Sequence, residues 1–363
     1  MLDQLVVGAA PGDAITRSAM LVQEALRRHG PSELYSQHVE GDLASVVRRL
    51  PELRDRPNRD RPLVFHASIG SWPVYQAIRA NETELVLVYH NFSPPEFFAD
   101  FAPDVAGDLI RGRWELEQLR PMVRGAVADS EYNAGELRDL GYTDVAVVPP
   151  TPDVDRLLRI VPDVDLLRAV DGWGADPLVL CVAQQLPHKR IERVLAAVAV
   201  LQQEFLPTAQ LAVVGVGRFE AYSAALRVMA GSVGLRTPRF MGRTTDAELA
   251  ALYLRASVFL TLTEHEGFCV PVVEAMAAGV PVVASARAAL PDTVGDAGLL
   301  VDDPDDPVLT AALLHRVVTD EHLRHELVGR GAARARSMAA PVSLPRLVDA
   351  IRWAAADPVG RVR

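Results

Sequence analysis

The chain has 363 residues, of which 49% are hydrophobic and 23% charged, a composition that excludes disordered and collagen-like proteins and favours two globular domains. The net charge is −10, divided as −7 over the first 160 residues and −3 over the remainder. Neither part has the basic excess expected of a nucleic-acid-binding protein or of one that docks tightly on an anionic membrane.

Short apolar runs rich in β-branched residues alternate with helical patterns along the chain, which is typical of parallel βαβ units. In the first half, the pattern predicts one helix from the loop at 9–13 to about His29. The Arg-rich run 48–61 is expected to be a solvated helix end and loop. A proline-rich stretch at 149–153 and a polar connector to about residue 176 follow. The predicted strands of this half are 4–8, 63–66, 85–89, 125–130 and 145–148.

The alternation restarts at Pro177. The predicted strands are 178–183, 209–215, 239–241, 258–261, 281–284 and 299–301. The predicted helices are 190–204, 218–231, 246–255, 271–278, 307–318 and 345–355. We therefore predict an α/β protein with two Rossmann-like, doubly wound domains, residues 1–165 and 176–340. The C-terminal helix within 341–363 is a candidate to pack back on the first domain. The default site is the cleft between the domains, at the carboxyl ends of their strands.

Cysteine usage and the N-terminal sequence bear on the compartment. Cys181 and Cys269 are too few for a disulfide framework or a thiolate metal cluster, so we expect a cytoplasmic protein without a metal site. Met1-Leu-Asp-Gln has no basic segment, and the apolar run 5–10 is too short for a signal or membrane-spanning segment. Peripheral attachment to the inner face of a membrane stays open, as does the oligomeric state.

The most informative segment is Glu266-Gly-Phe-Cys-Val-Pro-Val-Val-Glu274, which runs from a predicted strand through a turn into a helix. Backbone N–H groups at the start of that helix, at Phe268, Cys269 and Val270, would form an anion site. Ionised Glu266 and Glu274 could each accept hydrogen bonds from paired hydroxyls of a sugar or ribose. A glycosidase pair or two merely structural glutamates are the alternatives.

Lys189 is the one lysine of the chain, beside 36 arginines. It follows the strand 178–183, so its compact ammonium is expected at the same site, where it could neutralise a diphosphate. Arg190 could share this role or only cap the next helix.

Other candidates also follow strands. His90 could donate to a sugar hydroxyl, and Gly12 and Gly215 allow close approach of a ligand to the backbone. His66 and Ser130 are weaker candidates of the same kind. Neither glycine loop has the G-x-G-x-x-G spacing of a dinucleotide fingerprint, which argues against a dehydrogenase.

The segment from Glu266 to Glu274, with Ala-Met-Ala after it, resembles the retaining group 1 glycosyltransferases with the GT-B fold. Similarity extends over the C-terminal half and, more faintly, to Val88-Tyr-His90. The resemblance implies a metal-independent transfer of a hexose from a UDP- or GDP-sugar to a glycan, lipid-linked or small hydroxyl acceptor.

It also implies roles for residues. Glu266 would bind the donor sugar, Glu274 the ribose, and Lys189 with the backbone of 268–270 the diphosphate. Residues near Met241 would border the base, Gly12 would lie near the junction of donor and acceptor, and His90 would contact the transferred sugar.

This chain departs from the family pattern at two positions. Gln184 stands where relatives have an arginine, and Cys269 stands where they have a glycine. A sugar-nucleotide epimerase, a phosphorylase and a catalytically silent sugar-nucleotide binding protein stay open as alternatives.

Overall fold

The computed structural model describes residues 2–56, 60–174 and 177–356. Within these residues the chain divides into two compact units. Unit 1 comprises residues 2–99, 103–152 and 340–356, and unit 2 comprises 100–102 and 153–339. Residues 57–59 of the Arg-rich run, 175–176 of the connector and 357–363 of the C-terminal segment lie outside the described residues.

Unit 1 is a seven-stranded parallel sheet with helices. Its first helix, Ala14–Arg27, begins after Asp13. The Asp13 carboxylate accepts a hydrogen bond from the Thr16 N–H at 2.7 Å. The strands are β1 Asp3–Ala9, β2 Leu34–Val39, β3 Arg48–Arg49, β4 Leu63–Ala67, β5 Leu85–Tyr89, β6 Val123–Ala128 and β7 Val145–Val147. The helices are α1 Ala14–Arg27, α2 Trp72–Asn81, α3 Pro103–Leu119, α4 Glu131–Asp139 and, at the C-terminus, α14 Ala340–Ala355.

Unit 2 is a six-stranded parallel sheet. Its strands are β8 Leu178–Val182, β9 Gln210–Val214, β10 Arg239–Gly242, β11 Val258–Thr261, β12 Val282–Ser285 and β13 Gly298–Val301. Its helices are α5 Val154–Arg159, α6 Val164–Gly172, α7 Ile191–Val200, α8 Glu220–Ser232, α9 Asp246–Arg255, α10 Val270–Ala277, α11 Leu290–Val294, α12 Pro307–Thr319 and α13 Glu321–Met338.

Both sheets confirm the predicted doubly wound class. Their strand orders are β3-β2-β1-β4-β5-β6-β7 and β10-β9-β8-β11-β12-β13. The order reverses between β1 and β4 in unit 1, and between β8 and β11 in unit 2. In such sheets, ligands bind outside the carboxyl ends of the strands at this switch point. The loops that follow β8 and β11 are therefore where a ligand of unit 2 is expected.

The structure differs from the prediction between residues 150 and 174. The expected polar connector forms helices α5 and α6, which begin after Asp153 and Asp163; each aspartate accepts a hydrogen bond from a first-turn N–H. Both helices pack on unit 2, so the chain passes from unit 1 to unit 2 after Pro152, ahead of the predicted boundary at 165. The short Arg48–Arg49 strand and the 3-10 segment Leu50–Asp55 likewise replace the expected loop.

Buried apolar side chains cover both faces of each sheet. In unit 1, Leu347, Ile351 and Ala354 of α14 pack with the β4, β5 and β6 valines in one core. Among the described residues, no helix is both long enough and apolar enough to span a bilayer.

Candidate functional site

Lys189 and Glu266 meet at the switch point of unit 2. Lys189 ends a 3-10 turn after β8, and Glu266 lies in the loop after β11. The Lys189 Nζ donates to Glu266 Oε1 at 2.5 Å, and the side chains are only 17% and 12% exposed. A buried ion pair of this kind carries a desolvation cost, and removing one partner leaves the other charge uncompensated. The structure therefore brings together the two residues expected to bind phosphate and sugar.

The first turn of α10 lies directly after Glu266. Cys269, the residue before the helix, has φ of 75° and ψ of 72°, the left-handed conformation. Within the described residues, the N–H groups of Phe268, Cys269 and Val270 donate to no backbone carbonyl. Helix-start N–H groups with no protein partner attract anions, and the helix dipole adds to this. The thiol of Cys269 is buried, and burial raises its pKa well above the usual range.

Glu274 lies in the second turn of α10 and is held by a residue that the sequence analysis missed. The Tyr253 hydroxyl, from α9, donates to Glu274 Oε2 at 3.1 Å and lies 3.3 Å from the Pro271 carbonyl. Burial, with the nearby Glu274 charge, raises the pKa of Tyr253 well above 10. The tyrosine is thus a fixed donor that sets the orientation of the carboxylate. In the sequence, Tyr253 lies among alanines and leucines of a helical pattern, so nothing distinguished it from a core residue.

Buried hydroxyls hold the loop that carries Glu266. Thr263 Oγ1 donates to the carbonyl of His188 at 2.9 Å, and Thr293 Oγ1 donates to the carbonyl of Phe268 at 2.6 Å. The Glu264 N–H also donates to the carbonyl of His188 at 2.9 Å. The loops after β8 and β11 are therefore tied to each other, which fixes Lys189 relative to Glu266 before any ligand binds.

Three further predicted residues lie at the same edge of the sheet. Gly215 follows β9, and its N–H donates to the Gly242 carbonyl. A Cβ at Gly215 would lie 2.0 Å from the carbonyl oxygen of Ala183, so strand packing already explains this glycine. Met241 is half-buried on β10 and packs on the core. Arg190 donates to Glu192 at 3.3 Å from a left-handed position before α7.

In unit 1, His90 follows β5 and both of its ring nitrogens have partners. His90 Nδ1 lies 2.8 Å from Asp129 Oδ2, and His90 Nε2 lies 2.9 Å from Nδ1 of His66. A hydrogen bond from His90 to a sugar would therefore require one of these contacts to break. The sequence analysis did not single out Asp129, which lay inside the predicted strand 125–130; in the structure it follows β6, which ends at Ala128.

Gly12 lies in the loop after β1, with φ of 82° and open space around it. It borders a cavity of about 450 Å³ between the start of α1 and the segment at 43–46. Small-molecule sites have volumes of this order. Ser130, in contrast, caps α4, because its hydroxyl accepts a hydrogen bond from the Asn133 N–H at 3.1 Å.

Within residues 2–56, 60–174 and 177–356, no three His, Cys, Asp or Glu side chains are grouped so that they could hold a metal ion.

Comparison with known proteins places residues 164–334 in a sequence family. They match the family described as "Glycosyl transferases group 1". The resemblance predicted from Glu266–Glu274 is thereby confirmed.

Several curated relatives are named as mannosyltransferases. "O-antigen chain mannosyltransferase B" of Escherichia coli is 40% identical over 98 residues, which are 27% of this chain and 26% of the relative. The "GDP-mannose-dependent alpha-(1-6)-phosphatidylinositol monomannoside mannosyltransferase" of Mycolicibacterium smegmatis is 32% identical over 179 residues, 46% of this chain and 45% of the relative. The matches thus span less than half of these relatives' own length.

Solved structures match over almost the whole chain. WaaG, "a glycosyltransferase involved in lipopolysaccharide biosynthesis", has a TM-score of 0.74 and 17% identity, over 97% of this chain and 99% of that one. Anabaena HepE in complex with UDP-glucose has a TM-score of 0.73 and 16% identity, over 96% and 98%. At such identities the likeness concerns the fold. This chain therefore has the GT-B fold, and its residues 164–334 match the group 1 glycosyltransferase family.

Proposed function

We propose that this chain is a retaining, metal-independent glycosyltransferase that moves a hexose, mannose in the first instance, from a nucleoside diphosphate sugar to a hydroxyl acceptor. The observation that carries the proposal is the Lys189–Glu266 pair at the unit 2 switch point, directly before the first turn of α10. An ammonium, a carboxylate and unpaired backbone N–H groups together suit a diphosphate joined to a sugar.

Binding of the donor would exchange the partner of Lys189. A diphosphate carries more negative charge than one carboxylate, so it would draw the ammonium of Lys189 away from Glu266. Glu266 would then accept hydrogen bonds from sugar hydroxyls. Gln184, which is exposed beside this site, brings no second cation, so Lys189 and the N–H groups of 268–270 would carry most of the phosphate binding.

The proposed chemistry balances without a metal ion. The bond from sugar C1 to the diphosphate oxygen breaks, and a bond from C1 to the acceptor oxygen forms on the same face. The acceptor proton goes to the departing diphosphate oxygen. Lys189 and the helix start would stabilise the negative charge that develops on this leaving group.

Two observations support the choice of donor and of sugar-binding residues. Relatives of this chain are named for mannose, and one of them for GDP-mannose. Glu274, oriented by Tyr253, would accept from the ribose hydroxyls. The acceptor is assigned to unit 1, where the cavity beside Gly12 has a volume suited to a small ligand.

The first experiment measures binding and turnover with defined nucleotides. Thermal-shift assays with GDP, UDP, ADP and their hexose conjugates should show stabilisation by GDP and GDP-mannose above the others. Turnover is then followed as GDP release, and the anomeric configuration of the product by NMR. A product inverted at C1 would contradict the retaining mechanism. Stabilisation only by nucleotides with another base would contradict the assignment of the donor.

Variants of the ion pair separate binding from folding. Lys189→Met should weaken GDP binding at least tenfold, about 1.4 kcal/mol, and abolish transfer. This variant leaves the Glu266 charge buried and unpaired. The double variant Lys189→Met/Glu266→Gln removes both charges and is therefore its control for folding. It should fold as stably as wild type yet still fail to bind. Arg324→Ala, on the exposed face of α13, is the surface control. Normal transfer by the Lys189 variants would remove the proposed role.

The same assays distinguish the alternatives. An epimerase would convert the donor sugar with no acceptor present, and a silent binding protein would bind GDP-mannose without releasing GDP. A phosphorylase would require inorganic phosphate for turnover.

A further inference from the structure

A continuous chain of four polar side chains runs beneath the carboxyl edge of the unit 1 sheet. Gln4 on β1 donates from Nε2 to the Ala19 carbonyl at 3.0 Å, and its Oε1 lies 2.9 Å from Nε2 of His66. His66 Nδ1 lies 2.9 Å from His90 Nε2, and His90 Nδ1 lies 2.8 Å from Asp129 Oδ2. His66 is fully buried, and Asp129 is 7% exposed. Of its four members, only His90 is expected, from the family resemblance, to contact the transferred sugar.

The positions of the protons follow from the two ends of the chain. The Ala19 carbonyl can only accept, so the Gln4 amide nitrogen faces it and Gln4 Oε1 is an acceptor towards His66. His66 Nε2 must therefore carry a hydrogen. At the other end, an ionised Asp129 can only accept, so His90 Nδ1 must also carry a hydrogen.

The central contact, between His66 Nδ1 and His90 Nε2, needs one further hydrogen. Two bare nitrogens at 2.9 Å would repel each other, and two protonated nitrogens would clash. With Asp129 ionised, the two imidazoles together hold three hydrogens on four nitrogens, which is one proton more than two neutral rings. This positive charge is balanced by Asp129.

The surroundings decide which ring holds the extra proton. Both ring nitrogens of His66 contact uncharged or imidazole groups, Gln4 and His90, in the described part of the chain. Its complete burial, with the nearby His90, lowers its pKa well below the usual range. His90 is in direct contact with Asp129. Within the described residues, the side chains that the His90 ring contacts by hydrogen bonds are His66 on β4 and Asp129 after β6, and Gln4 on β1, the partner of His66, is uncharged.

We propose that His66 and Asp129 are positioning residues that hold His90 as an imidazolium, with both of its N–H groups directed into the protein. His90 then has no lone pair with which to act as a general base. The catalytic part of this inference rests on the proposed function, in which the acceptor proton goes to the leaving diphosphate. The proton arrangement itself does not depend on any activity.

The proton arrangement is tested by nitrogen NMR on the whole chain labelled in its nine histidines. Signals of His66 and His90 are assigned by their absence in His66→Gln and His90→Gln. At pH 7 we expect two protonated ring nitrogens on His90, and on His66 a protonated Nε2 with a bare Nδ1. A singly protonated His90 would overturn the proposal, whether or not transfer activity has been found.

The positioning role is tested by the pH profile of kcat between pH 5.5 and 8.5, measured as GDP release from GDP-mannose. Asp129→Asn removes the balancing charge, so His90 should lose its extra proton within this range. Because the resemblance places His90 beside the transferred sugar, the loss of its charge should change kcat by roughly tenfold or more across this range, with little change in KM for the donor. Wild type should lack this limb, as should His38→Gln, which alters an exposed histidine of the same unit.

A pair of variants at His66 guards against simple misfolding. Gln at position 66 offers both an amide donor and an amide oxygen acceptor, so it can keep the wild-type pH profile. Leu offers neither and should give a profile like that of Asp129→Asn. Identical profiles for wild type, Asp129→Asn and His66→Leu would overturn the positioning role. If no nucleotide sugar turns over, the proposed function fails, and the NMR result still decides the proton arrangement.

Discussion

At the scale of single residues, the most instructive position is Cys269. Its φ of 75° belongs to the left-handed region, which costs a residue with a Cβ roughly 1–2 kcal/mol and costs glycine almost nothing. Glycine, which the family resemblance implies at this position, would adopt this conformation at the start of α10 without that cost. The N–H groups of the helix start keep their directions only if this conformation is retained.

The strain at Cys269 predicts an inverted order of stability. Cys269→Gly should be more stable to urea than Cys269→Ala by about 1 kcal/mol, because alanine keeps the left-handed strain and glycine removes it. At Cys181, which is buried within β8, the order should be the usual one, with alanine more stable than glycine by roughly 0.5–1 kcal/mol. Alanine more stable than glycine at both cysteines would show that position 269 is unstrained.

At the scale of elements, helix α2 begins at an unusually close contact with α3. Gly70 and Gly112 lie so close that a Cβ on either would come within 3.0 Å of backbone atoms of the other. The Ser71 N–H, at the start of α2, donates to Glu115 Oε2 of α3 at 2.9 Å. Glu115 Oε1 is buried without a hydrogen-bond partner in the described part of the chain. Burial raises the pKa of this carboxyl.

This raised pKa predicts a pH-dependent effect of Glu115→Gln. The folded state favours the protonated carboxyl, so the ionised form is a penalty that grows as the pH rises above the unfolded value near 4.3. The stability of Glu115→Gln relative to wild type, measured as the free energy of unfolding, should therefore be higher at pH 7 than at pH 4. Glu117→Gln, on the exposed face of α3, should show no such difference. A pH-independent effect of Glu115→Gln would contradict the assignment.

At the scale of the whole molecule, the end of the chain completes the first unit. Ile351 of α14 is fully buried in the core formed with β4, β5 and β6, and Arg124 on β6 donates to the carbonyl of Ala355 at 3.0 Å. Ala354 packs against Gly125, where a Cβ would lie 3.0 Å from the Ala354 Cβ. Unit 1 is therefore discontinuous in sequence, and its core depends on residues that follow the whole of unit 2.

This discontinuity predicts reciprocal effects of two core substitutions. Ile351→Ala should destabilise unit 1 by about 2–5 kcal/mol and speed amide hydrogen exchange in β5 and β6. Leu327→Ala, at a buried position of α13, should instead speed exchange in unit 2. Faster exchange in unit 2 alone for Ile351→Ala would contradict the packing of α14.

Local patterns predicted some elements closely and missed others. Strands 85–89 and 258–261 and helix 246–255 have the predicted bounds, because each is a strong apolar or amphipathic run with clear ends. The sequence analysis missed α5 and α6 because their Asp caps lie within a proline-rich, polar stretch that also suits a connector. It missed α13 because that helix is rich in charged residues and has a weak apolar face.

The sequence alone determined the fold class and the segments at which the candidate site lies. Apolar runs that alternate with helical patterns indicate parallel sheets. In a parallel sheet, the loops that follow the strands, such as those at Lys189 and Glu266, lie at the same edge of the sheet. Only the tertiary structure decided which side chains meet: Lys189 with Glu266, Tyr253 with Glu274, and Gln4 with His66, His90 and Asp129. These partners are far apart in sequence, so their contacts depend on strand order and register, which periodicity does not encode.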